Sequence, residues 1–152
     1  MSLSDWARSG WLVEHRTSPQ EIADLLGVAD RDLRDCARPG LSEDWQLAIA
    51  YNAALQCAAA ALAVSGYRAS RDAHHYRVIQ SLVHTIGMEP HLVRQLDAFR
   101  KKRNVGDYER AGLISETEAR EMLALAQTLR KRVEDWLRQN HTHLAPRRPM
   151  PT

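Results

Sequence analysis

Strand-forming residues are scarce in this chain. Phe occurs once, and Val and Ile are sparse beside Ala and Leu, a balance that favours helices over sheets. Cysteine occurs only twice, which excludes a disulfide framework. Cys36 and Cys57 lie in apolar-periodic stretches without a partner at metal-ligand spacing, and read as reduced core residues. The seven glycines and six prolines punctuate periodic stretches and are too few for a low-complexity chain. A large excess of one charge is also missing. With Arg147 and Arg148 set aside, 19 basic residues face 19 acidic ones. Such a body does not bind nucleic acid by bulk charge, although a local basic patch remains open to it. Nor is there a long, strongly apolar run. Leu47 to Val64 is interrupted by Asn52 and Gln56 and owes much of its apolar character to Ala. A membrane span wants about 20 strongly apolar residues, so a buried helix is the better reading. Met1 to Trp11 carries Asp5 and Arg8 without the apolar core of a secretory leader. A cytoplasmic protein with no membrane contact is expected.

What the sequence does contain is helical periodicity with clear start and stop signals. Ser18-Pro19-Gln20-Glu21 opens a first helix, followed by Ile22, Leu25, Leu26, Ala29, Leu33 and Cys36 at helical spacing. A second, Ala-rich helix begins at Ser42 and stops at Gly66. A third runs from Ser70 to Gly87 with Tyr76, Ile79, Leu82, Val83 and Ile86 facing inward. A fourth begins around Pro90 with the stripe Leu92, Val93, Leu96 and Phe99. The last opens with a capping box, Ser115 to Glu118, and carries Ala119, Met122, Leu123, Ala126, Leu129, Val133, Trp136 and Leu137. Short connections make neighbours antiparallel, so the expected fold is all-α, an antiparallel up-and-down bundle of four or five helices. A single domain is expected over residues 1–140, with a disordered Pro-rich tail over 141–152.

Three features could carry function. Glu21 to Val28 resembles the first half of a helix-turn-helix, with Gly27 at the turn. The next segment, however, is acidic at Asp30, Asp32 and Asp35, and the apolar stripe runs in register through Gly27. One continuous helix is the stronger reading. The histidines offer no metal site, because adjacent His74 and His75 point about 100° apart on a helix and no Glu-x-x-His pair recurs. His75 leans toward the Ile79 and Leu82 face, as a hydrogen-bonded core or interface histidine would. The third feature is the most informative. The stripe Leu92, Leu96, Phe99 continues at helical spacing onto Arg103, which places a guanidinium where a core residue is expected. Asn104 follows directly, Tyr108 lies a turn further on, and Arg100, Lys101 and Lys102 add positive charge. A solvated basic helix end beside its negative dipole terminus explains the last three well and Arg103 poorly.

Two stretches together resemble the HEPN superfamily of small helical-bundle proteins. One is the AIAYNAALQCAAAAL run within Trp45 to Arg68, closing in GYR and followed by His74-His75. The other is Phe99 to Asn104 through Tyr108, leading into ISETEA. They span about 42–137. The resemblance implies a bundle that forms a homodimer. In active members an Arg followed by a polar residue precedes a His by a few positions, and two such motifs meet at the dimer interface to cleave RNA without metal. Arg103 and Asn104 match the Arg-polar pair, while Tyr108 stands in the place of the His. A tyrosine with a pKa near 10 is a weak base at neutral pH, so an imidazole would have to come from His74 or His75. The site expected on this basis comprises Arg103, Asn104, Tyr108 and His75, with Arg100, Arg103 and Lys102 on phosphate and no metal or other cofactor. Its function would be binding of RNA or a nucleotide, with a nucleotidyltransferase or antitoxin as a possible protein partner. A metal-independent ribonuclease and a purely structural or interaction bundle are the alternatives.

Overall fold

The computed structural model describes residues 2–105 and 114–146, with the backbone alone at Asn104 and Val105. In chain order the elements are α1 (Leu3–Arg8), β1 (Leu12–Glu14), α2 (Pro19–Cys36), α3 (Glu43–Val64), β2 (Tyr67–Ala69), α4 (His74–Gln80), α5 (Leu82–Thr85), α6 (Pro90–Val105) and α7 (Glu116–Asn140). Among the described residues the fold is an all-α bundle with one small two-stranded antiparallel sheet, whose strands are separated in sequence by α2 and α3.

Helix α3 is the centre of the molecule. Ser42 caps it by accepting a hydrogen bond from the Trp45 amide, and Gly66, at φ +99°, ends it in a conformation that an L side chain would strain. It is buried on every side, through Leu47, Ala50, Tyr51, Ala53, Ala54, Cys57, Ala58, Ala60, Ala61 and Leu62. A helix apolar all round belongs in a core. By length and composition Glu43–Val64 could cross a membrane, but 67% of its most apolar window is buried inside the fold. Its small alanines let α2 and α7, its main partners, approach closely, and α4, α5 and α6 also contact it. Each fully buried Leu, Ile or Met in this core contributes about 1.5–3 kcal/mol of transfer free energy.

The polar interruptions of α3 have partners. Asn52 donates to Asp32 Oδ2 of α2 at 2.6 Å, and Gln56 donates to Asn52 Oδ1 at 3.4 Å. Asp32 is itself buried and is also met by Arg31 at 3.2 Å. Nearby, Arg130 of α7 donates through Nε and Nη2 to the two oxygens of Asp30 on α2, at 2.8 and 3.1 Å. Acidic residues that repel phosphate in the helix-turn-helix reading thus hold the bundle together. Helix α2 runs unbroken through Gly27, which removes that reading.

Three features depart from the sequence reading. Leu12, Val13 and Glu14 pair antiparallel with Ala69, Arg68 and Tyr67. Ser70 then extends the clasp, donating from its amide and its hydroxyl to the Trp11 carbonyl, each at 3.0 Å. The third helix consequently begins at His74 rather than Ser70, and Ser81 separates α4 from α5. Of the expected inward face Ile79 and Leu82 are buried and Ile86 packs against the core, joined by Val78, whereas Tyr76 is 43% and Val83 36% exposed. The ordered chain also passes the boundary expected at residue 140. Thr142–Leu144 forms a 3-10 turn, with Leu144 buried and His141 against the Trp136 ring at 4.8 Å.

Candidate functional site

Tyr51, halfway along α3, is where three helices meet. Its side chain is fully covered. The Arg103 guanidinium of α6 lies over its ring, 5.2 Å from the centroid, and His75 Nδ1 of α4 lies 3.3 Å from its hydroxyl. One phenol ring therefore sits under a cation at its face and holds an imidazole at its tip. Arg103 is not a core residue, contrary to the sequence expectation: it is exposed, because the buried α6 stripe of Val93, Leu96 and Phe99 ends at Phe99. Its guanidinium roofs Tyr51 instead, in a cation-π arrangement.

Beside this trio lies an open depression of about 430 Å³ lined by Ala73, His74, His75, Tyr76 and Arg100. Arg100 is held in place by donating from Nε to Asp97 Oδ1 at 2.7 Å, and its guanidinium carbon stands 5.5 Å from the Tyr76 ring centroid. Asp97 is buried and also pairs with Lys101 at 3.6 Å. Lys102 is engaged by Glu118 of α7. Among the described residues no carboxylate pairs with Arg103, and the group that faces its charge there is the Tyr51 ring. Ala73 adopts a left-handed φ of +51° at the start of α4, with no side-chain cap. That conformation costs an alanine about 1–2 kcal/mol, and here it falls in the wall of the depression.

The electrostatics of the trio are unequal. Burial, followed by the Arg103 guanidinium, His74 and Arg100, pulls the His75 pKa below its ordinary value. His75 is therefore a neutral imidazole at pH 7. Burial pushes Tyr51 up to about 12, against the opposing pull of Arg103 and Arg100. Tyr51 stays a phenol at any physiological pH and acts as a support, not as an acid or base. If His75 Nδ1–H donates to the Tyr51 oxygen, Nε2 is left with its lone pair free to accept a proton.

The sequence-expected site is thus brought together in part. His75, Arg100 and Arg103 converge on Tyr51 and the depression. Lys102 points its charge at Glu118. The Asn104 side chain and Tyr108 lie outside the described residues. Sequence reasoning did not single out Tyr51 or Asp97 and gave Tyr76 only a place on an inward helix face, although Tyr51 is the one aromatic residue inside the alanine run of α3. Among the described residues no group of three or more His, Cys, Asp or Glu could hold a metal ion. No family model matches this chain, and neither a curated protein nor a solved structure matches it.

Proposed function

We propose that this chain is a HEPN-like helical bundle that binds RNA or a nucleotide at the His74–Tyr76 depression, with the phosphate on Arg103 and Arg100. The observation that carries the reading is the Arg103 guanidinium, exposed and free of a carboxylate among the described residues, over the Tyr51 ring. A planar donor of this kind suits a phosphate's oxygens in bidentate fashion. Tyr76, 43% exposed beside Arg100, offers a surface on which a base can stack. Association into a homodimer, and a protein partner such as a nucleotidyltransferase or an antitoxin, belong to the same proposal and rest on the HEPN resemblance.

The test is binding of a short single-stranded RNA, followed by fluorescence anisotropy at two salt concentrations. Arg103→Ala is expected to weaken binding at least tenfold, or about 1.4 kcal/mol, and to flatten the salt dependence. Equal binding by the variant and the wild type removes the reading. A second reading, metal-independent RNA cleavage, is favoured by one observation: a neutral His75 shares Tyr51 with Arg103. In that scheme His75 Nε2 takes the proton of a ribose 2′-hydroxyl as the oxygen attacks the neighbouring phosphorus. Arg103 stabilises the charge on the phosphoryl oxygens, and the departing 5′-oxygen takes its proton from solvent water. RNA left intact in chelator across about pH 6 to 9, while still bound, leaves the binding reading alone.

A further inference from the structure

A second cavity adjoins the depression and shares one wall with it. About 200 Å³ in volume, it is lined by Trp6, Trp11, Tyr76, Arg77 and Gln80. Tyr76 is the partition, because the same ring also lines the His74–Arg100 depression. Trp6 and Trp11 meet edge to face with centroids 5.8 Å apart, and His84 braces Trp6 from another side at 5.1 Å. The Arg77 guanidinium lies over the Trp11 ring, 4.3 Å from its centroid. Among the described residues neither the Arg77 guanidinium nor the Gln80 side-chain amide has a carboxylate or hydrogen-bond partner. The cavity therefore combines three aromatic rings with a donor-only guanidinium and an amide that can both donate and accept.

We propose that this cavity is a nucleobase pocket. Its size decides between ligand classes: ordinary small-molecule sites start at roughly 300 Å³, so about 200 Å³ takes one planar ring system and not a whole nucleotide. Aromatic walls supply stacking, which is worth about 1–3 kcal/mol per base, and Arg77 and Gln80 supply hydrogen bonds to the base edge. A sugar-phosphate passing Tyr76 then reaches the depression where Arg100 stands. The orientation of the nucleotide rests on the phosphate reading above; the base pocket rests only on its own lining.

The four tryptophans give a direct readout, because Trp6 and Trp11 line the pocket whereas Trp45 and Trp136 stand elsewhere. The experiment titrates guanosine and guanosine monophosphate into the ¹⁵N-labelled full chain and follows the four indole N–H resonances, assigned by single Trp→Phe variants. Both ligands are expected to shift Trp6 and Trp11 and leave Trp45 and Trp136 in place. Gln80→Ala should weaken guanosine binding severalfold, and Trp11→Leu should abolish it. Circular dichroism identifies any variant that has lost its helices, in which case Gln80→Ala alone decides. Arg103→Ala should weaken the nucleotide at least tenfold and leave guanosine unaffected. Unmoved Trp6 and Trp11 indoles, or equal shifts at all four, overturn the pocket even if Arg103 binds phosphate. Persistent Trp6 and Trp11 shifts, with a nucleotide indifferent to Arg103→Ala, sustain the pocket and remove the phosphate reading.

Discussion

At the residue scale the most informative group is His75. Its pKa is depressed first by burial and then by Arg103, so removing the guanidinium must move it back up. Arg103→Ala is expected to raise the His75 titration midpoint measured by imidazole proton shifts, and a bound phosphate should raise it as well. An unchanged midpoint in the variant would mean that the two side chains are electrostatically independent and the trio is only a packing arrangement. This residue was legible from sequence as a histidine leaning toward the Ile79 and Leu82 face. What could not be read was its hydrogen-bond partner, because Tyr51 lies 24 positions earlier and no local period connects them. Arg103 was singled out for the right stripe but the wrong reason. Spacing predicts which face of a helix a residue occupies, whereas only the neighbouring helices decide where that face emerges into water.

At the element scale, boundaries set by caps were legible and those set by distant pairing were not. Ser18, Ser42 and Ser115 each accept a backbone hydrogen bond where the sequence places a helix start. The start of α4 at His74 follows from the pairing of Tyr67–Ala69 with Leu12–Glu14, a contact that spans most of the first half of the chain. Polar positions inside α3 read as interruptions in sequence and prove to be links to α2. Asn52→Leu should therefore cost about 1–3 kcal/mol, since the buried Asp32 carboxylate loses its closest donor. Urea denaturation with an unchanged m-value measures that loss. A variant as stable as the wild type would show that Arg31 or water replaces the amide in full.

At the scale of the whole molecule, stability should decline in two steps as pH falls. The folded His75 pKa lies below the ordinary 6.5, so the unfolded chain takes up a proton first and stability starts to drop below about 6.5. The drop ends once the folded His75 is itself protonated. Glu21 works in the same sense at lower pH: hydrogen bonds from Thr17 and then His15 hold its pKa below 4.5. Its contribution is present above that value and is lost as pH falls through the folded pKa. Thermal melts from about pH 8 down to about pH 3 should show both steps, and His75→Gln should erase the first one only. If both steps survive in that variant, another group carries the first. Fold class was legible at this scale because alanine-rich and amphipathic periods leave few alternatives to a bundle.

The Leu12–Ala69 clasp has a practical consequence for anyone handling this protein. The opening dozen residues are stitched to the strand that leads into α4, and they supply two of the rings beside Tyr76. Cargo fused at that end, or a protease nick before Glu14, would be felt some sixty positions downstream in sequence, next to His74 and His75.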